Sequence, residues 1–280
     1  MKFMKMKHFL RTAITFSMLV GISIESVSAE YLFTAPPRET PVQGKNTYGP
    51  LVKELSRLMN APVTYKHPGN WHAYKSKVKS GKYDFIFDGP HFAAWRLQNL
   101  GVNPLVKLPG ALSFVLVAKA NNDFVNKSDD LITRKICVLP SPHLGTLSIY
   151  SLYPNQMRQP RFISSKGGMK ENFDKFKAGR CDAVMLRDSY FEKKISHQER
   201  KDLKVVAKTK AMTNQGITIS KRISRAKQVE INRFLTSPKG TIAASNLLNR
   251  FSKANATFIT SQKSDYIGQN LLVENMIFGW

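Results

Sequence analysis

One short pattern constrains the fold of this chain more than any other. A helix-like run stopped by glycine leads through a basic residue to an aspartate and then a continuous apolar strand. It occurs twice, about a hundred residues apart, as Lys79-Ser80-Gly81-Lys82-Tyr83-Asp84 before FIFD and as Lys177-Ala178-Gly179-Arg180-Cys181-Asp182 before AVMLRD. Strands this apolar read as parallel strands covered on both faces, the usual situation in α/β sheets. Around each copy the same grammar extends. Tyr31–Thr34, VTYKH and YDFIFD alternate with helical segments carrying Leu51, Leu55 and Leu58, or Trp71, Tyr74 and Val78. In the later half, RKICVLP, PRFISS and CDAVMLRD alternate with SPHLGTLSIYSL and MKENFDKFKAG. Alternating β and α elements predict an α/β architecture, and two lobes built on one plan explain the repetition.

The boundaries follow from composition. MKFMKMKHFLR carries four basic residues, an apolar run (TAITFSMLVGISI) succeeds it, and Val27-Ser28-Ala29 supplies small residues for cleavage before Glu30. This is the layout of a secretory leader, and the run is shorter than the roughly 20 residues needed to span a bilayer. Residues 1–29 therefore read as a signal peptide, and the remainder as an exported, periplasmic protein. Residues 30–117 form the first part of lobe 1, 118–215 lobe 2, and 216–280 the return to lobe 1. ALSFVLVAKANND and GITISKRIS are the expected crossings, which makes a hinge. Helices are expected at 225–236, at 241–251 and near the terminus around Tyr266–Met276. An oxidising compartment pairs isolated thiols, so Cys137 and Cys181, the two cysteines of the chain, are expected to form a disulfide.

The formal charge of +24 favours anionic partners through the summed field. The excess is spread along the chain, +6, +9 and +6 for residues 30–117, 118–215 and 216–280. A nucleic-acid binder concentrates charge on one face and interleaves stacking aromatics, so no nucleic-acid partner is expected. Two cysteines exclude a multi-cysteine zinc module, and no P-loop, G-x-S-x-G elbow or H-E-x-x-H helix is present. No catalytic residue, cofactor or metal is assigned.

Taken in order, TYGPLVKELSRLMNAPV, GKYDFIFDGPHFAAW, GITISKRIS, FLTSPKGTIAASNLL and SDYIGQNLL resemble the phosphate/phosphite/phosphonate-type substrate-binding proteins of ABC transporters. The resemblance implies a type II periplasmic binding protein fold. In that fold two α/β lobes on a two-stranded hinge close on a ligand without chemistry, normally as a monomer serving a membrane permease.

Ligands of open α/β sheets lie outside the carboxyl ends of the strands, and helix N-termini favour anions. Three loops qualify: Thr47-Tyr48-Gly49, read as preceding the first helix, Asp88-Gly89-Pro90-His91, and Ser141-Pro142-His143-Leu144-Gly145-Thr146. The family's cleft positions fall on the same loops. Tyr48, Asp88, Gly89, His91, Ser141, His143 and Thr146 are the ligand-binding candidates, joined by Ser113 and Asp188. Each has an ordinary alternative: Tyr48 as a packed aromatic, Asp88 and Asp188 as helix caps, the histidines as first-turn residues. Asp88 and the SPHLGT turn depart from the family pattern. A carboxylate beside an oxyanion is repulsive unless the ligand brings a cation or a proton, so the expected ligand is a small anion or a zwitterion such as an aminophosphonate. A receptor for a membrane kinase, metal capture by His91, His143 and Asp88, and carboxylate chemistry by Asp88 and Asp188 are the competing functions.

Overall fold

The computed structural model describes residues 30–165, 167–253 and 255–274. The expected signal peptide, 1–29, lies outside the described residues. The chain begins with β1 (Tyr31–Thr34), α1 (Pro41–Met59), β2 (Val63–Tyr65), α2 (Trp71–Lys79), β3 (Phe85–Asp88), α3 (Pro90–Asn99) and β4 (Asn103–Lys107). It continues through β5 (Ala111–Leu112), β6 (Phe114–Lys119), β7 (Lys135–Val138), α4 (Leu144–Tyr150), β8 (Arg161–Ser164), α5 (Gly168–Lys177), β9 (Ala183–Arg187), α6 (Asp188–Lys194), α7 (His197–Lys201) and β10 (Leu203–Lys208). The return comprises β11 (Met212–Thr213), β12 (Gly216–Ile219), α8 (Arg225–Leu235), α9 (Pro238–Ala243), α10 (Ser245–Phe251), β13 (Ile259–Thr260) and α11 (Leu271–Glu274).

These strands make two α/β lobes. Lobe 1 has a six-stranded sheet in the order β13-β4-β12-β3-β1-β2, and lobe 2 a five-stranded sheet in the order β10-β6-β9-β7-β8. Within them β2, β1 and β3 run parallel, as do β8, β7 and β9. The continuous apolar runs are buried on both sides as expected. Ala183 and Met185 of β9 join the core on one face of the second sheet, while Val184 and Leu186 join the core on the other.

The sequence echo is an echo of geometry. Gly81 and Gly179 both end their helices with positive φ, +68° and +72°, a conformation that costs glycine nothing. Three residues on, each aspartate closes a matching pair of bonds to the neighbouring strand. Asp84 Oδ2 accepts from the Leu32 amide at 2.8 Å, and Asp182 Oδ2 from the Lys135 amide at 2.9 Å. Their own amides donate back to the Leu32 and Lys135 carbonyls, both at 2.9 Å.

The hinge is not made by the expected crossings, ALSFVLVAKANND and GITISKRIS. That apolar run divides into β5 and β6, and β12 pairs with β3 and β4. The crossings are instead joined by the two-stranded β5–β11 ribbon, Leu112 opposite Met212 and Ala111 opposite Thr213. Because β6 lies wholly in the second sheet beside β9 and β10, the chain enters lobe 2 before Phe114, ahead of the expected boundary at 117. Ser113 interrupts the run, and the Phe114 amide donates to Thr209 Oγ1 of the returning crossing at 3.0 Å.

The first helix also starts earlier than the sequence reading has it. Thr40 caps it, in a reciprocal capping box with Gln43, and Pro41 occupies the first turn. Thr47-Tyr48-Gly49 thus lies inside α1 and not in a loop before it. Pro50 removes one helical donor and would leave the Asn46 carbonyl without a partner. Asn246 of α10 supplies one, its side-chain amide donating to that carbonyl at 2.8 Å.

The segment expected to be helix at 241–251 is split into α9 and α10. The terminal segment forms a 3₁₀ turn at Lys263–Tyr266 and then α11. Cys137 and Cys181 form the expected disulfide, Cα atoms 5.7 Å apart, in the core of lobe 2. Closing a loop of this length is worth about 4 kcal/mol in the chain-entropy picture.

Candidate functional site

Ligands of open α/β sheets lie outside the carboxyl ends of the strands, and the loops after β1, β3, β7 and β9 carry polar residues. The first is the Pro36-Pro37-Arg38-Glu39-Thr40 turn into α1. Arg38 is exposed, donates to the Gln215 side-chain oxygen beside the hinge and lies over the Phe251 ring. It has no carboxylate partner among the described residues. Glu39 is buried, accepts from Tyr48 Oη at 3.3 Å and has Arg250 Nε at 3.6 Å. Tyr48 itself packs among Phe33, Tyr65 and Phe87 in the lobe 1 core. Burial, reinforced by Glu39, pushes its phenol far above the usual range, so it stays protonated.

The second loop follows β3. Asp88 is fully buried and pairs with Arg96, itself 1% exposed. Arg96 Nη1 meets Oδ2 at 2.5 Å and Nη2 meets Oδ1 at 3.0 Å, while Tyr74 Oη donates to Oδ2 at 2.5 Å. Arg96 Nη2 also donates to Thr218 Oγ1 at 2.7 Å. A bidentate guanidinium and a phenol satisfy both carboxylate oxygens, so the charge of Asp88 is matched inside lobe 1.

Gly89 precedes α3, Pro90 begins it and His91 follows in its first turn. His91 is 3% exposed, and its Nε2 lies 3.2 Å from the Pro142 carbonyl oxygen of lobe 2. A carbonyl can only accept, so Nε2 carries the proton. Burial, with smaller contributions from Arg38, His143 and Arg96, lowers the His91 pKa to about 3. The ring is therefore neutral near pH 7, and Nδ1 is a buried acceptor without a partner. Such an atom costs about 1–3 kcal/mol unless something donates to it.

In lobe 2, Ser141 is exposed and Pro142 follows it. His143 caps α4, its Nδ1 accepting from the Gly145 amide at 3.1 Å. Its proton therefore sits on Nε2. Burial, then Arg38 and Arg187, lowers its pKa to about 4. The charge of first-lobe Arg38 contributes to lowering both histidines. Thr146 is buried and donates to the Leu139 carbonyl at 2.6 Å, which ties down the loop.

The fourth loop follows β9. Arg187 is half-buried, its pKa lowered by burial, and its guanidinium has no ion pair or hydrogen bond among the described residues. Asp188 is bound to Lys208 at 2.7 Å and to Ser113 Oγ at 2.9 Å, and its amide donates to the Ser113 carbonyl at 3.0 Å. Ser113 and Asp188 thus brace the hinge end of β9. Of the candidates, His91, His143 and the Ser141 loop meet between the lobes, whereas Tyr48, Asp88 and Thr146 are engaged within one lobe. Arg38 and Arg187 were missed, being single basic residues in a chain full of them.

Among the described residues no three His, Cys, Asp or Glu side chains gather as a metal-binding group. Asp88 and Asp188 are both ion-paired elsewhere and do not form a free carboxylate couple. No helix among the described residues is long and apolar enough to cross a membrane.

The family model described as "ABC transporter, phosphonate, periplasmic substrate-binding protein" matches residues 33–266. The chain belongs to this family of periplasmic substrate-binding proteins. Its members bind small ligands such as phosphonates and deliver them to an ABC permease. Solved structures share the fold at low identity. XAC2383 from Xanthomonas citri, bound to ATP, is 10% identical with a TM-score of 0.65, covering 89% of this chain and 97% of its own. PhnD1 from Prochlorococcus marinus, in complex with methylphosphonate, is 14% identical with a TM-score of 0.60, covering 87% and 96%. A binding protein component of an ABC phosphonate transporter from Pseudomonas aeruginosa is 12% identical with a TM-score of 0.56, covering 89% and 90%. No curated protein sequence matches. The two-lobed type II periplasmic binding protein fold expected from the sequence is thus the fold of the chain.

Proposed function

We propose that the interlobe cleft captures a small phosphonate-like anion between Arg38 of lobe 1 and Arg187 of lobe 2, for delivery to an ABC permease. The observation that carries this reading is the pair of arginines. Each lobe contributes one guanidinium without a carboxylate partner among the described residues, beside the N-termini of α1, α3 and α4. A cation gains most from an anion that reaches it where water is scarce, as at half-buried Arg187. The ligands bound in two structural neighbours, methylphosphonate and ATP, are both phosphorus oxyanions.

Asp88 has a supporting role in this reading: by fixing Arg96 and Tyr74 it sets the loop that carries His91. Asp188 is likewise ion-paired, and Glu39, whose Oε1 makes no hydrogen bond, is buried with Arg250 at 3.6 Å, so among the described residues the loops offer an ammonium group no carboxylate that is both exposed and unpaired. The balance falls on an anion over an amine-bearing acid. Export through cleavage before Glu30 completes the reading. Arg222 donates to the Glu30 carbonyl at 2.9 Å, which holds the proposed first residue against the lobe.

Titration calorimetry with methylphosphonate tests the site. Arg38→Gln and Arg187→Gln should each weaken binding about 10- to 100-fold, the worth of one charge-assisted hydrogen bond. A panel of small phosphorus oxyanions that produces no heat with the wild type overturns the reading. The intact mass of exported protein checks the cleavage point.

A further inference from the structure

We infer that the cleft selects anions that carry their own hydrogen-bond donor, and that His91 Nδ1 is the atom that receives it. The inference rests on the anion-binding reading above and goes one step further, to the protonation state of the ligand.

The argument is one of donor and acceptor count. Arg38 and Arg187 can only donate. His143 Nδ1 is occupied by the Gly145 amide, so its remaining nitrogen, Nε2, is a donor. His91 is the opposite case: Nε2–H is committed to the Pro142 carbonyl of the other lobe, and Nδ1 is left with a bare lone pair. Titration does not remove that lone pair near neutral pH. The charged and titratable groups acting on His91 are Arg38 from the first loop, Arg96 from its own helix and His143 from lobe 2; all three disfavour the charged ring, as burial does most strongly, and the Pro142 carbonyl is the one contact that opposes them.

Gly89 faces this nitrogen, and any side chain in its place would block it. A Cβ at this position would stand 2.8 Å from His91 Nδ1 and 2.6 Å from Cε1. A buried acceptor beside an anion site has one consequence. A fully deprotonated oxyanion sets lone pair against lone pair there, whereas a singly protonated one, or an anion bearing an ammonium group, donates to it. A phosphonate near neutral pH retains a P–OH; a sulfonate does not.

Three probes separate these chemistries by calorimetry: methylphosphonate, methanesulfonate and 2-aminoethanesulfonate. Methylphosphonate should bind at least about 100-fold more tightly than methanesulfonate, since a site built around a hydrogen bond strongly rejects the analogue lacking it. Its affinity should fall as pH rises through its second ionisation. If 2-aminoethanesulfonate binds like methylphosphonate, an ammonium serves as the donor; if it binds like methanesulfonate, the donor must be P–OH. His91→Asn, whose amide can donate, should shrink the gap between methylphosphonate and methanesulfonate to less than about tenfold.

Nitrogen-15 NMR of the histidines reads the tautomer directly and is independent of any variant's folding. It should show His91 protonated at Nε2 alone. Equal affinity for methylphosphonate and methanesulfonate, or a His91 protonated at Nδ1, overturns this inference and leaves the anion-binding reading standing. Failure of all three probes and of phosphite to bind overturns both.

Discussion

Asp88 shows how a single residue changes meaning once its neighbours are known. In the sequence it stands in a cleft loop as a lone carboxylate; in the fold it is one end of a buried ion pair with Arg96. Breaking such a pair from one side leaves an uncompensated charge in the core and costs about 3–5 kcal/mol. Asp88→Asn should therefore lower stability in urea denaturation by several kcal/mol, whereas a direct ligand role predicts near-wild-type stability with lost binding. His91 makes a second residue-scale expectation. Its folded pKa, about 3, lies below its ordinary value of 6.5, so between those limits the unfolded chain binds more protons. Stability is full above pH 6.5 and declines as pH falls through that window. The decline should begin above the carboxylate range, and His91→Gln should flatten it in stability curves measured against pH. The sequence reading singled out His91 and His143 because they fall in loops that open helices at the carboxyl ends of strands. Arg38 and Arg187 do not stand out among 43 basic residues, because what sets them apart, no carboxylate partner among the described residues, is a property of the folded neighbourhood.

At the scale of elements, signals that act within a few residues were legible and those that act across the chain were not. The glycine-to-aspartate junction predicts the same helix stop and the same strand contact in both lobes, and both occur. Gly49-Pro50 carries an equally strong local signal for a helix boundary, yet α1 runs through it. The physical reason is remote: Asn246, two hundred residues away, meets the carbonyl that Pro50 leaves open. Asn246→Ala should lower stability by about 0.5–1.5 kcal/mol, the net worth of a solvent-accessible hydrogen bond. In the Pro50→Ala background the same substitution should cost less, since the helix then supplies its own donor. A thermal or urea double-mutant cycle measures that coupling, and strict additivity removes the compensation argument. The hinge was misjudged for a related reason. An apolar run has no marker for the sheet it enters, and only the pairing partners reveal that β5 bends into the ribbon while β6 joins lobe 2.

For the molecule as a whole, the β5–β11 ribbon is joined by another link between the lobes. The terminal segment pairs with lobe 1 through β13, is anchored by Lys107 to Asp265 at 2.5 Å, and then reaches α11 between α3 and α4. There Val273 is fully buried with Tyr74, Val78 and Phe92 of lobe 1 and Leu147 of lobe 2. Its neighbour Leu272 packs against that cluster and also against the lobe 2 core. Opening the lobes must peel α11 from one of them, which exposes apolar surface at about 25 cal/mol per Å². The segment therefore biases the molecule towards the closed arrangement, in which His91 meets Pro142. Val273→Ala removes part of the shared cluster while leaving Arg38, Arg187 and both histidines in place. It should raise the radius of gyration of the ligand-free protein in small-angle X-ray scattering, and weaken methylphosphonate binding by the cost of restoring closure. At saturating ligand the scattering curve should return to that of the wild type, because bound anion and buried cluster act on the same equilibrium. An unchanged ligand-free curve alongside weaker binding would instead assign Val273 to the local packing of α3, with no part in holding the lobes together.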